Sequence, residues 1–114
     1  MTDCIFCKII NGEIPSDKVY EDDKILAFND VDPQSPTHIL VIPKEHIESL
    51  NHLDENNIDI IKEIYIKIKE IAKEQGLSDR GYRVVTNCGK EGGQTVGHLH
   101  FHLLGGRNLQ WPPG

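Results

Sequence analysis

The apolar positions of this chain fall into short clusters of strand period and one long run of helical period. Within CIFCKIIN, residues 4–11, Ile5, Phe6, Ile9 and Ile10 line one broad side of a short helix that Gly12 ends. Pro15 forbids a simple continuation. Val19-Tyr20, an Asp22-Asp23 turn and Ile25-Leu26-Ala27-Phe28 come next, the last a strand stopped before Pro33. Ile39 to Ile42 is a compact apolar strand closed by Pro43, and antiparallel pairing through the loop Asp32-Pro33-Gln34-Ser35-Pro36 is its shortest link to the strand before it. Residues 54–75 carry the helical pattern: Asp54 as cap, Ile58, Ile61, Ile64, Tyr65, Ile68, Ile71 and Ala72 on one face, Gly76 as the end. Ile60 and Ile66 fall off that face, and two such isoleucines on a surface helix leave room for a subunit contact. Tyr82 to Asn87 reads as a strand, GKEGGQTVG as a loop, and His98 to Leu103 as a last strand before the tail GGRNLQWPPG. The sum predicts an α+β class with an antiparallel sheet of about five strands, a long helix and a short N-terminal helix.

A chain of 114 residues has the size of a single domain, residues 1–114, without repeats, low-complexity segments or linkers. Its net charge of −6 argues against a general nucleic-acid or anionic-membrane surface, yet local donors can still hold a small phosphate compound. No apolar stretch approaches the roughly 20 residues that span a bilayer. The opening MTDCIFCKIINGEIP lacks the basic region, apolar run and cleavage site of a secretory leader. Three cysteines, an odd number, do not form a secreted disulfide framework, so the expected location is the cytoplasm.

Chemistry concentrates in GHLHFHLLGG, residues 97–106. Strand alternation puts His98, His100 and His102 on one face and Leu99, Phe101 and Leu103 on the other. The apolar face packs; the histidine face has three readings. It is a solvated surface, or a metal site of neighbouring imidazoles, or a place where the imidazoles themselves do acid–base or nucleophilic work. Between Gly92 and Gly114 there is no Asp or Glu, and the nearest candidate, Glu91, lies beyond a glycine pair, so an orienting carboxylate must come from elsewhere. A free imidazole, with a reference pKa of about 6.5, is mostly neutral at pH 7 and nucleophilic toward phosphorus. One ring nitrogen attacks while the other donates to a fixed acceptor such as a main-chain carbonyl. The preceding Gly92-Gly93-Gln94-Thr95 offers unhindered backbone N–H groups with amide and hydroxyl donors, as phosphoryl or nucleotidyl transfer requires.

The run His98-Leu99-His100-Phe101-His102-Leu103-Leu104 resembles the histidine-triad motif, and the resemblance to the histidine-triad (HIT) family extends over KIINGEIPS, THILVIPKEH and the closing NCGKEGGQTVGHLHFHLLGGRNLQWPPG. The ending GGR…WPPG resembles the Hint branch, the nucleoside phosphoramidases. The resemblance implies a HIT-like fold, a homodimer whose two sheets join, and a purine nucleotide site in each subunit. His100 matches the nucleophile that becomes nucleotidylated, His102 a residue holding phosphate oxygens and supporting the leaving group, and His38 the histidine completing a proton relay. Asn87, Gly93, Gln94 and Thr95 match phosphate and leaving-group contacts, with Thr95 where relatives commonly have Ser. Asp30 matches the carboxylate that binds the ribose hydroxyls, though the residues alone read it as a turn residue before Pro33. Ile5, Phe6, Ile9, Phe28 and Val31 match an apolar slot for the base and otherwise read as core. Trp111 matches a tail that approaches the partner's active site; the bland alternative is packing against its own domain. The implied reaction cleaves the P–N bond of an adenosine or guanosine 5′-phosphoramidate through a nucleotidyl-histidine that water hydrolyses to the nucleoside monophosphate, with no metal required.

Cys4-x-x-Cys7 raises a separate question. By residue type it is half of a zinc site, a pair of buried thiols, or a redox dithiol. Family members carrying this pair resemble zinc binders whose remaining ligands match His46 and His98, which implies a closed structural zinc site of Cys4, Cys7, His46 and His98. Cys88 reads as a buried strand residue and His52 as a surface residue. The rival functions are a dinucleoside polyphosphate hydrolase, which the short chain and WPPG ending disfavour, a non-catalytic nucleotide- or zinc-binding regulator, which the intact His100 disfavours, and catalysis by a triad-bound metal.

Overall fold

The apolar clusters form a five-stranded antiparallel sheet in a computed structural model that describes residues 3–114; Met1 and Thr2, part of the opening stretch read above for a leader, lie outside the described residues. The strands are β1 (Lys18–Glu21), β2 (Ile25–Asn29), β3 (Thr37–Pro43), β4 (Tyr82–Val85) and β5 (Phe101–Gly105). Their order is β1-β2-β3-β5-β4, so the chain leaves β3, passes through the long helix α2 (Asp59–Glu74), forms the edge strand β4 and returns to insert β5 between them. The short helix α1 (Ile5–Ile10) precedes the sheet.

Strand alternation divides the sheet into two faces. Ile25, Ala27, Ile39, Val41, Phe101 and Leu103 point to the α2 side, where they meet Ile64, Ile68, Ile71 and Ala72. Leu26, Phe28, Leu40 and Ile42 point the other way and pack with Phe6 and Ile9 of α1. Each such aliphatic or aromatic side chain, fully buried, contributes roughly 1.5–3 kcal/mol. The expected α+β class, strand number and helices are all present. No helix among the described residues is long and apolar enough to cross a membrane.

Three local expectations need correction. The long helix starts at Asp59, not at 54. Asp54 instead builds a turn: its Oδ1 accepts the N–H groups of Asn56 and Asn57, and Asn57 Oδ1 accepts the Asp54 N–H at 2.7 Å. Asn and Asp side chains compete with the helix for backbone groups in this way. Ile58, read as the start of the apolar stripe, is exposed, whereas Ile60 packs against the core. The reason is phase: Ile60, Ile64, Ile68 and Ala72 make one i, i+4 row. Ile66 is exposed as expected, and Tyr65 stands half out of the core with its ring edge-on to Phe101 at 5.6 Å. Finally, the histidine segment enters the sheet only at Phe101, so of its three histidines His102 alone lies within β5. The alternation survives ahead of the strand, with Leu99 fully buried in the α2-side core and His98 and His100 against Phe6.

Candidate active site and metal centre

Hairpin register brings the polar residues together. Asn29 pairs with Ile39 at the end of the β2–β3 ladder, and the next step sets Asp30 opposite His38, with the Asp30 N–H on the His38 carbonyl at 2.9 Å. On the other side of β3, Leu40 faces His102. His38, two residues earlier on the same face, is thus a diagonal neighbour of His102, within reach of a long side chain. The two rings meet, His38 Nε2 to His102 Nδ1, at 2.9 Å, and Asp30 Oδ2 stands 3.3 Å from His38 Nε2.

The hydrogen bonds fix the tautomers. Gln34 N–H donates to His38 Nδ1 at 2.9 Å, so a neutral His38 carries its proton on Nε2 and donates it to His102 Nδ1. His102 in turn carries its proton on Nε2. His100 Nδ1–H donates to the His98 carbonyl at 2.6 Å, which leaves its Nε2 with a free lone pair. Burial pushes His102 down to about 4, helped by His100 and His38, and burial also lowers His38 against the opposing pull of Asp30 and Asp32. At neutral pH the resting pair is therefore uncharged.

These groups open on a cavity of about 330 Å³. Ile5, Phe6, Ile9, Phe28 and Val31 supply apolar wall, with Phe6 edge-on to Phe28 at 5.5 Å and to His100 at 5.2 Å. Asp30, Thr95, His100 and His102 supply polar wall. An apolar slot with a few convergent polar groups is the ordinary form of a small-molecule site.

A second cluster sits at the start of α1. Cys4 caps the helix, its Sγ accepting the Cys7 N–H at 3.3 Å, and the turn presents both thiols toward His46 and His98. The ligand atoms of Cys4, Cys7, His46 and His98 all lie within 4.8 Å of one another. His98 donates Nε2–H to the Pro43 carbonyl at 2.8 Å, which leaves Nδ1 facing the sulfurs at 3.4 and 3.7 Å. Cys7 Sγ is 3.3 Å from His46 Nδ1. In a tetrahedral zinc site the S···N separation is about 3.5 Å, given Zn–S and Zn–N bonds of about 2.3 and 2.0–2.1 Å. The donor set and its spacing fit zinc. Burial and the adjacent Cys4 thiol push the Cys7 thiol up to about 11, so a metal entering here displaces a proton.

A family model described as scavenger mRNA decapping enzyme C-term binding matches residues 3–110. A 14 kDa zinc-binding protein of Brassica juncea is 52% identical over 114 residues, covering 98% of this chain and 100% of that protein. Adenylylsulfatase HINT1 of Arabidopsis thaliana is 50% identical over 112 residues, covering 96% of this chain and 76% of that protein. The crystal structure of a HIT family hydrolase from Legionella pneumophila Philadelphia 1 matches with a TM-score of 0.96 at 51% identity, covering 98% of this chain and 100% of that chain. The chain belongs to the histidine-triad family. Within it the chain falls in the Hint branch, among hydrolases.

The triad of this HIT protein is therefore divided: His98 faces the cysteines, while His100 and His102 line the cavity. The residues predicted for the nucleotide do not all gather there. Asn87, Gly93 and Gln94 are absent from the cavity wall. Gln94 braces its own loop, its amide donating to the Glu48 and Val96 carbonyls and its Oε1 accepting the Gly89 N–H, and Asn87 Nδ2 donates to the Gly92 carbonyl. The N–H groups of Gly93 and Gln94, expected to be free, are spent on the Lys90 and Gly89 carbonyls. The glycine pair serves the turn: a Cβ at Gly92 would collide with the Cys88 carbonyl, and Gly93 has φ +82°. Trp111 is 80% exposed in the tail, which Arg83 and Arg107 tie down through the Gln110 and Gln34 carbonyls. Cys88, expected in a strand, is half-buried beyond the end of β4, and His52 is exposed. The carboxylate expected from outside the triad segment is Asp30, a His38 contact that the sequence reading does not assign; the facing positions of NDVDPQSPTH across a hairpin are its signal.

Proposed function

We propose that this HIT-family hydrolase cleaves the P–N bond of adenosine or guanosine 5′-phosphoramidates through a nucleotidyl-His100 intermediate. The observation that carries the reading is His100 itself, a cavity-wall residue whose Nδ1–H is locked on the His98 carbonyl so that Nε2 is free, with the His102 ring 5.1 Å away between centroids. The purine lies in the slot of Ile5, Phe6, Ile9, Phe28 and Val31, and Asp30 takes the ribose hydroxyls. Thr95 and the His102 Nε2–H hold phosphate oxygens; the Asn87–Gln94 stretch shapes the loop that presents Thr95.

The bound phosphate anion favours one added proton on the His38–His102 pair, which the Asp30 carboxylate neutralises. His100 Nε2 then forms a bond to phosphorus as the P–N bond breaks, and His102 delivers that proton to the departing nitrogen, which leaves as an amine. Water next attacks phosphorus, the P–Nε2 bond breaks, and the water's proton returns to the relay. Positioning and charge stabilisation supply most of the acceleration in such transfers.

Zinc is proposed at Cys4, Cys7, His46 and His98, where four protein ligands would close the site and tie α1 to the histidine segment without entering the reaction. A homodimer is proposed through the free edge of β4, with the exposed Tyr65, Ile66 and Tyr82 as its contact and Trp111 reaching the neighbouring site. The name of the Arabidopsis relative favours a second reading, in which the P–O bond to sulfate, rather than a P–N bond, breaks as the same adenylyl-histidine forms.

The test is intact-protein mass after rapid acid quench with adenosine 5′-phosphoramidate and with adenosine 5′-phosphosulfate, for wild type and His100→Ala. An adenylate adduct on wild type alone establishes transfer through His100, and relative turnover names the leaving group. Turnover by the variant overturns the reading.

A further inference from the structure

The nucleophile stands just outside the sheet. β5 pairs with β3 as far as Val41↔Phe101 and with β4 as far as Val85↔His102. His100 lies one residue before β5, past the last rung on both sides, yet its backbone sets the aim of its ring, because Nδ1–H is anchored two residues back on the His98 carbonyl. Something other than ladder bonds must hold this stretch. One substitute is Leu99 N–H on the Ile47 carbonyl at 2.6 Å. The other is Thr86: by register it faces Phe101, one step beyond the last β4–β5 pair, and its side-chain hydroxyl donates to the His100 carbonyl at 2.9 Å.

A β-branched residue at a strand end is expected from packing alone. Valine would serve that purpose equally, so the hydroxyl is the distinguishing feature. Thr86 is half-buried and directly precedes Asn87, whose side chain closes the loop carrying Thr95. A single hydroxyl therefore joins the nucleophile's main chain to the strand from which the phosphate-side loop departs.

We propose that Thr86 is a positioning residue for His100: its hydroxyl replaces the missing rung of the β4–β5 ladder and holds Nε2 on line with the phosphorus. The inference rests on the proposed role of His100 as nucleophile. It predicts a contribution realised in the chemical step rather than in ligand affinity, because Thr86 is not part of the cavity wall.

The experiment compares wild type, Thr86→Val and Thr86→Ser in single-turnover formation of the adenylate adduct, in steady-state kcat and KM, and in solvent exchange of the His100 Nδ1 proton by NMR. Thr86→Val is expected to lower adduct formation and kcat about tenfold with KM changed less than about twofold. Thr86→Ser is expected to recover most of the loss, and the Nδ1 proton to exchange several times faster in the valine variant alone. Wild-type rate and exchange in Thr86→Val, equal losses in both variants, or a loss confined to KM would each overturn the proposal. Proton exchange needs no substrate. A failure of the phosphoramidase reading would show as no wild-type adduct, whereas failure of the Thr86 role would show as unchanged exchange.

Discussion

Two histidines of one short segment, His98 and His100, serve different clusters and are wired in opposite senses. His98 spends Nε2 on the Pro43 carbonyl and turns Nδ1 to the cysteines, whereas His100 spends Nδ1 on the His98 carbonyl and keeps Nε2 for the cavity. In each case a main-chain acceptor, stiff and always available, decides which nitrogen is free. The third histidine of the motif is treated differently. His102 Nδ1 accepts the Nε2–H of His38, which is set by the Gln34 N–H and faced by Asp30, so its partner is a titratable side chain rather than a main-chain carbonyl. A ligand and a nucleophile need a fixed lone pair; a relay needs a movable proton.

Removing the metal centre should break the comparison most sharply. Cys7→Ser leaves His98 without one of its sulfur neighbours, and a loss of about 2–4 kcal/mol is expected, roughly 10 °C or more in melting temperature. Thermal unfolding with and without a chelator checks it: wild type should fall toward the variant on chelation, and the variant should respond little. A melting temperature indifferent to both changes would mean that no metal is held there.

Asp30→Asn acts on the relay and on the proposed ribose contact together. With the carboxylate gone the added proton on His38 loses its counter-charge, and adduct formation should fall about 10²-fold. Single-turnover rates measure this, and a companion measurement of nucleoside monophosphate affinity separates it from lost ribose contact.

The smallest effect is on acid stability. His102 is held at about 4 in the fold against about 6.5 in the unfolded chain. A lowered imidazole contributes stability that is complete above about 6.5 and is lost as pH falls toward 4, because the unfolded chain takes up the proton first. His38 is lowered too and acts in the same direction. The urea midpoint should therefore be flat above neutrality and decline from about pH 6.5 toward 4, and His102→Gln should shallow that decline.

Much of this was legible in the sequence because period alone encodes it. The strand runs, the α2 stripe and the alternating histidines all follow from which positions are apolar. What escaped depends on side-chain hydrogen bonding, which no period reports. Asp54 chose an Asx-type turn with Asn56 and Asn57 over capping α2. Gln94 turned its amide into its own loop, and Asp30 reached His38 across a hairpin whose register the sequence left open. The candidate metal ligands are grouped in the sequence by resemblance alone; the spacing of Cys4 and Cys7 points to half of the cluster, and His46 and His98 are brought in by tertiary folding.

The strict alternation from His98 to Leu103 also constrains how this segment can vary. A strand side chain's face depends on its parity, so one residue inserted or deleted between Gly97 and Phe101 would exchange the faces of everything on one side of the change. Leu99, fully buried, would move toward the cavity, and an imidazole would be driven into the α2-side core. The segment can accept substitutions one position at a time, but its length is not free to drift.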